Sequence, residues 1–237
     1  MTPEASHEDA WIKFLAWFEV NRKRLLLTFG LVVVAVAVWY LTRLARERSE
    51  AAASRQLIAL AARTADPAPP AADFLKLAET TGRTQAGKHA RLLAAERLFG
   101  EGKYAEAQAE FERALAISPE GVLAPQAAYG VAASLDAQDK LAEAEAKYRE
   151  ITVRFPDDAA ARHARLALAG LAESRQQPEQ AAKLYDELIR EARPGISSME
   201  ARSRREALVR EHPNLAGTNA PAPPAAAPLS LTTPAGR

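Results

Sequence analysis

The chain of 237 residues contains no cysteine, and its charges nearly balance, with 31 Lys and Arg against 30 Asp and Glu. Without cysteine there can be no disulfide framework, no thiolate zinc site, no thiol nucleophile and no lipid-modified cysteine. A formal net charge of +1 argues against a protein that binds nucleic acid through a broad positive surface.

Aromatic residues are also few, at 7 Phe, 5 Tyr and 3 Trp, whereas alanine is abundant at 54 residues. Alanine has the highest intrinsic helix propensity, and a low content of β-branched residues disfavours sheets. The composition therefore predicts an all-α protein whose helices pack closely through small side chains.

One uncharged apolar segment, residues 25–42, lies between Arg24 and Arg43. A helix of that length spans roughly 27 Å, close to the thickness of a bilayer's hydrocarbon core. Trp39 and Tyr40 stand near one end, where amphipathic rings suit the headgroup layer. The segment is therefore predicted to be a transmembrane helix, with membrane lipid as its partner.

A cleavable signal peptide is the alternative, with the basic residues 22–24 as its n-region and Ala35 and Ala37 as an A-x-A site. Against cleavage, 24 residues precede the apolar run, and the run continues beyond Ala37. We therefore expect an uncleaved anchor. The two flanks carry equal positive charge, so the compact cluster at 22–24 only mildly favours a cytoplasmic N-terminus.

The segment before the anchor, residues 1–24, places apolar side chains on one helical face, namely Trp11, Phe14, Leu15 and Phe18. Such a face would suit the membrane surface. A simple continuation of the transmembrane helix explains the same pattern equally well, and the sequence leaves both alternatives open.

An internal repeat of 37 residues follows the anchor, in segments that begin at Gly102, Asp139 and Gln176. The recurring positions are small at Ala107, Ala144 and Ala181, aromatic at Phe111, Tyr148 and Tyr185, and small or apolar at Ala114, Ile151 and Leu188. A further small position recurs upstream at Ala95, Ala132 and Ala169. The same register extends backwards to Ile58, Phe74 and Leu77.

Each unit fits a helix, a short turn and a second helix, and neighbouring units must stack because one unit cannot bury its apolar face alone. The repeat domain is predicted to cover residues 43–212. Its units lie near 51–87, 88–124, 125–161 and 162–198, followed by a capping helix at 199–212. Residues 213–237, rich in Pro and Ala, are predicted to be a disordered tail.

The order of small and aromatic positions, with Pro119 and Pro156 closing the first two segments, resembles the tetratricopeptide repeat, although the period here is 37 residues instead of about 34. The resemblance implies an α-solenoid whose first helices line a partner-binding groove. It places six residues in that groove: Leu92, Glu96, Tyr129, Asp136, Leu166 and Glu173. Leu92 and Leu166 could instead pack between helices.

No catalytic motif of the HExxH, GxSxG or P-loop kind occurs in the sequence. His89 and His163 hold the same repeat position two units apart, and such units do not touch, so a paired-histidine metal site is not expected. We therefore expect neither an enzyme nor a cofactor, metal, nucleic acid or small-molecule substrate.

The whole layout, a short polar and aromatic start, one transmembrane helix, a charged helical neck and long-period repeats, resembles the YfgM-like ancillary subunits of the SecYEG translocon. That resemblance implies a single-pass protein of the bacterial inner membrane, with a cytoplasmic N-terminus and periplasmic repeats. It implies a non-catalytic scaffold that links the translocon to periplasmic chaperones. A generic envelope-assembly scaffold, in cell division or in pilus or secretion assembly, is the alternative.

Overall fold

The computed structural model describes residues 4–63, 69–190 and 196–217, and within these ranges all regular structure is helical. The prediction of an all-α fold is confirmed. The helices are α1 Glu4–Ala61, α2 Ala71–Thr81, α3 Gln85–Gly100, α4 Tyr104–Ile117, α5 Ala124–Asp136, α6 Leu141–Arg154, α7 Ala159–Ser174, α8 Pro178–Arg190 and α9 Ile196–Glu211, followed by a 3-10 helix at Pro213–Gly217.

Helix α1 is 58 residues long and contains the apolar segment without interruption. Within the described part of the chain, its section Leu26–Ala61 is the one helix long and apolar enough to cross a membrane, with a mean hydropathy of 1.9 over its most apolar stretch. None of that stretch is buried against the rest of the protein. The segment before the anchor continues the same helix from Glu4, as one of the two alternatives predicted.

The later helices pair into units, with α3 against α4, α5 against α6, and α7 against α8. The C-terminal turns of α1 pair with α2 to form a first, irregular unit. Each first helix also contacts the first helix of the next unit, from α3 to α5, α5 to α7, and α7 to α9. This stacking is the predicted α-solenoid.

The recurring positions form the core of that solenoid. The aromatic side chains of Phe111, Tyr148 and Tyr185 are buried. The six small residues of the repeat have no exposed surface: Ala95, Ala107, Ala132, Ala144, Ala169 and Ala181. Because an alanine projects only a methyl group, the paired helices can approach closely there, and the ring fills the wider space beside them.

The turn inside each unit repeats one backbone conformation. Gly102, Asp139 and Gln176 all have positive φ, at 77°, 58° and 57°. In each case the next amide donates to a carbonyl five residues back, as Lys103 N does to Leu98 O at 2.9 Å. This pairing is the Schellman motif, which closes a helix with one left-handed residue.

The first unit departs from the 37-residue register. Ile58, which the period assigns to the core, is exposed, whereas Leu57 and Ala53 are buried with Phe74. The turns of the later units take three or four residues, but nine separate α1 from α2. Because this connection is longer, the rotation of α1 about its own axis need not follow the 37-residue register. Ala53 and Leu57, four residues apart, form its buried face instead of Ile58.

A capping contact fixes α1 to the repeats. The Glu50 carboxylate accepts hydrogen bonds from the amides of Gln85 at 2.8 Å and Ala86 at 2.9 Å, at the start of α3. The first amides of a helix have no partner within the helix and carry partial positive charge. A carboxylate from α1 therefore satisfies two of them and joins the anchor helix directly to the solenoid.

The folded part extends further than the sequence indicates. Leu215 in the 3-10 helix is buried, and its carbonyl accepts a hydrogen bond from Arg205 Nη2 at 3.1 Å. Arg205 Nε also donates to Asp186 Oδ1 at 3.0 Å, in a buried ion pair between α9 and α8. The predicted start of the tail at Pro213 is therefore too early, and residues 218–237 lie outside the described part.

Candidate partner-binding groove

A groove of about 620 Å³ crosses three successive first helices, α5, α7 and α9. It brings three of the predicted groove residues together, Tyr129, Asp136 and Leu166. It also contains His163, and two residues that the sequence analysis did not consider for the groove, Glu200 and Arg204. First helices thus line this surface, as the resemblance implies.

Tyr129 forms an aromatic floor that joins two units. Its ring centroid lies 5.7 Å from that of Tyr148 on α6 and 5.9 Å from that of His163 on α7, both in tilted geometry. Burial raises the pKa of Tyr129, and the nearby Asp136 and Glu200 carboxylates raise it further. Its hydroxyl is therefore a neutral hydrogen-bonding group at physiological pH, on a half-buried ring that faces the groove.

The carboxyl group of Asp136 is oriented by a hydrogen bond from α6. The Tyr148 hydroxyl donates to Asp136 Oδ2 at 3.4 Å. Burial raises the pKa of Asp136, the Tyr148 hydrogen bond opposes that shift, and the negative charge of Asp139 adds to it. Burial also raises the pKa of Tyr148. The groove thus combines an aromatic floor with an oriented carboxyl group.

Leu166 and Glu173 both lie on α7 but face different spaces. Leu166 is half-buried and contributes apolar surface to the groove. Glu173 lines a neighbouring depression of about 650 Å³ between the α7–α8 turn and α9. Arg204 borders both spaces. The structure therefore places Glu173 beside the groove and not within it.

Two predicted positions on α3 are separate from the groove. Leu92 is fully buried in the main apolar core, together with Ala71, Ala95 and Leu98. It cannot contact a partner, because packing takes all of its surface. Glu96 is half-exposed and accepts a hydrogen bond from Gln126 Nε2 at 2.6 Å, which links α3 to α5.

The contribution of α9 was missed because it was interpreted as a cap. Arg204 Nη2 lies 2.8 Å from Glu200 Oε1, and a β-carbon at Gly170 on α7 would lie 3.7 Å from Arg204 Nη1. The His163 ring nitrogen Nδ1 lies 3.3 Å from the Ser197 hydroxyl. Glu200 follows His163 by 37 residues, so the period itself would have identified it as a groove position.

The described residues of the groove form no metal-binding site. Among the residues that the structure describes, no group of three or more His, Asp or Glu side chains could hold a metal ion. The groove instead presents an aromatic ring, apolar surface and charged side chains of both signs, which are groups that contact polypeptides.

Comparison with known proteins identifies the repeats. Residues 15–144 match the tetratricopeptide repeat-like domain family, over a span that includes the apolar part of α1. A protein of Podosopora anserina assigned as a kinesin light chain, with nearly identical TPR-like repeats, has a similar fold at 11% identity and a TM-score of 0.50, over 62% of this chain and 80% of that one. BtubC from P. vanneervenii aligns at 18% identity and a TM-score of 0.44, over 71% and 67% of the two chains. No curated protein matches the sequence. The chain belongs to the tetratricopeptide repeat-like domain family.

Proposed function

We propose that this protein is a non-catalytic, membrane-anchored scaffold that binds other proteins through its repeats. Stacked helical repeats form extended surfaces of this kind, and TPR-like repeats generally mediate protein–protein interaction. The observation that carries the proposal is the groove across α5, α7 and α9, which Tyr129 lines together with the carboxyl groups of Asp136 and Glu200. Aromatic side chains in such surroundings often dominate binding energy.

The anchor supports the same proposal. The apolar side chains of α1 between residues 26 and 41 are exposed, as lipid contact would require. The same helix runs on to Glu50 and its capping contact with α3, so the repeats are held at a fixed position relative to the anchor. We place the N-terminus in the cytoplasm and the repeats in the periplasm of a bacterial inner membrane.

Within this class we propose an ancillary translocon subunit that links the translocon to periplasmic chaperones. The order of parts supports it, since a single anchor is followed directly by long-period repeats. The family match also begins at residue 15, before the anchor. A generic envelope-assembly scaffold, for cell division or for pilus or secretion assembly, is the second candidate.

Crosslinking in native membranes, followed by mass spectrometry of the partners, tests this proposal. Translocon subunits recovered together with chaperones would support the first candidate, and cell-division, pilus or secretion proteins would support the second. Alkaline phosphatase fused after Gly217 should be active if the repeats are periplasmic. An inactive fusion would contradict the proposed orientation.

A groove variant tests where partners bind. Tyr129→Ala should weaken partner capture by about 2 kcal/mol, roughly 30-fold, without changing the circular dichroism. The matched control is Lys147→Ala, which alters an exposed side chain on α6 outside the groove. If Tyr129→Ala unfolds the protein, the residue is structural. If the variant stays folded and keeps its partners, they bind elsewhere, and the membrane helix is the next surface to test.

A further inference from the structure

The exposed apolar residues of the repeats are unevenly distributed. Outside α1, the large apolar side chains exposed in the described residues are Val122 at 96%, Val153 at 81%, Met199 at 72% and Ile117 at 46%. Ile117 ends α4, Val122 lies in the connection to α5, Val153 is in the last turn of α6, and Met199 is in the first turn of α9. All four therefore lie where one unit joins the next.

These junctions lie along one edge of the solenoid. A helical hairpin brings the start of its first helix and the end of its second helix to the same side, and α3 and α4 differ in length by only two residues. Two consecutive junctions are in direct contact, since Arg154 Nη2 at the end of α6 donates to Pro119 O, in the connection from α4 to α5, at 2.9 Å. We call this side, with the connections 82–84, 118–123 and 155–158, the junction edge.

The opposite edge has a different character. It consists of the turns within units, which we call the turn edge, at residues 101–103, 137–140 and 175–177. Apart from the small Ala137, its exposed side chains are charged or polar: Glu101, Lys103, Asp139, Lys140, Arg175, Gln176 and Gln177. Outside α1, the large apolar side chains exposed in the described residues therefore lie at one edge, and Ile58 in the last turns of α1 is a separate exposed position.

The anchor helix meets the solenoid at the junction edge. Glu50 contacts the amides of Gln85 and Ala86, immediately after the connection 82–84. Glu50 follows Thr42, the last residue of the uncharged segment, by eight positions, which is about 12 Å along a helix. The headgroup layer occupies roughly 5–7 Å of that height, and the usual tilt of a membrane helix reduces the remainder. The junction edge thus faces the bilayer at close range.

We propose that the junction edge rests on the membrane surface, with Val122, Val153, Met199 and Ile117 in contact with lipid. The inference depends on the proposed anchoring of α1. Charges of both signs occur at this edge, Arg83 and Arg154 beside Glu120 and Asp157, so attraction to anionic lipid is not what holds it. Burial of apolar side chains among the lipids is the driving force.

The absence of native cysteine allows a direct test in the full chain. Val122→Cys, Val153→Cys and Met199→Cys each introduce a single labelling site at the junction edge. The matched controls are Lys103→Cys, Lys140→Cys and Gln177→Cys at the turn edge. Each protein is labelled with a fluorophore and reconstituted into vesicles of phosphatidylethanolamine and phosphatidylglycerol that contain a lipid with a nitroxide near its headgroup.

We expect several-fold stronger quenching at the three junction positions than at the three turn positions, with no change at high salt. All six sites are exposed, so the labels should leave the circular dichroism unchanged. Equal quenching at both edges would overturn the proposal, because neither edge would then be the one that contacts the membrane. No quenching at the junction positions would also overturn it and leave a protein as the partner of this edge. Quenching that disappears at high salt would also overturn the proposal, because salt screens interactions between charges and does not weaken apolar contact.

A seventh site separates this inference from the anchor on which it depends. Val38→Cys lies within the apolar stretch of α1 and should be quenched by a nitroxide placed at the bilayer centre. If Val38→Cys is quenched but the junction positions are not, only the present inference fails. If Val38→Cys is not quenched, the anchoring fails, and the inference fails with it.

Discussion

The ring of Phe111 occupies the space that a side chain at Gly130 would need. A β-carbon at residue 130 would lie 2.5 Å from ring carbons Cδ1 and Cε1 of Phe111. Phe111 belongs to α4 and Gly130 to α5 of the next unit, so the contact crosses a unit boundary. A glycine inside a helix costs about 1 kcal/mol relative to alanine, and here the gain is close approach of the aromatic ring.

Gly130→Ala should therefore destabilise the protein by about 1–3 kcal/mol through overpacking, although alanine is the better helix former. The measurement is urea unfolding of the protein in detergent, followed by circular dichroism. Gly100→Ala is the control, because no atom lies within 4 Å of the β-carbon that it would add at the end of α3. That substitution should be neutral or stabilise by up to about 1 kcal/mol.

Removing the ring should reverse the sign of the Gly130 effect. Phe111→Ala alone should cost about 3–5 kcal/mol, because a buried ring is lost. In that background Gly130→Ala should be neutral or stabilising, since the clash is gone. An equal loss from Gly130→Ala in both backgrounds would show that the ring is not what excludes a side chain at residue 130.

The cap between α1 and α3 gives a second prediction. Glu50→Ala should cost about 1–2 kcal/mol, because the amides of Gln85 and Ala86 lose their acceptor. Hydrogen exchange at these two amides should accelerate. Glu47→Ala is the control, since Glu47 forms an exposed ion pair with Arg43 on the same helix and should change stability by less than about 0.5 kcal/mol. Unchanged exchange at residues 85 and 86 in Glu50→Ala would contradict the cap.

The repeat core could be predicted from the sequence because one geometric unit recurs. The small and aromatic positions at 37-residue spacing are buried as expected, among them Ala144 and Tyr148. The Glu50 cap could not be predicted, because it joins a side chain of a polar neck to backbone amides 35 and 36 residues away. Backbone acceptors and donors leave no signature in the side-chain pattern. The predicted burial of Ile58 was wrong for a related reason, since the period does not extend through the nine-residue connection after α1.

The candidate groove was predictable only in part. Tyr129, Asp136 and Leu166 come together as the resemblance implies, because first helices stack side by side. Leu92 occupies the equivalent place in its own unit but is buried. A periodic position specifies a direction from the helix axis, and the neighbouring side chains decide whether that direction leads to water. The groove's own partner binding stays a prediction.

The turns give a third prediction. Gln176 has a left-handed backbone that glycine adopts without strain, so Gln176→Gly should stabilise the protein by about 0.5–1 kcal/mol. Asp139→Gly should give a smaller gain, because aspartate tolerates this conformation better than glutamine. Gly102→Ala should cost about 1 kcal/mol. Gln177→Gly, one residue further on and outside the set with positive φ, should bring no gain. A gain at residue 177 equal to that at 176 would contradict the conformational explanation.

The last prediction concerns where the folded part ends. Ending the chain at Gly217 should leave the unfolding midpoint unchanged if residues 218–237 bury little surface. Ending it at His212 should destabilise the protein, because the apolar contacts of Leu215 and the hydrogen bond from Arg205 to its carbonyl are both lost. Leu215→Ala in the full chain isolates the side chain and should cost about 2–4 kcal/mol. Leu229→Ala is the matched control and should have no effect. If the two truncated proteins unfold at the same urea concentration, the 3-10 helix contributes nothing to the core, and the boundary that the sequence placed at residue 213 would be restored.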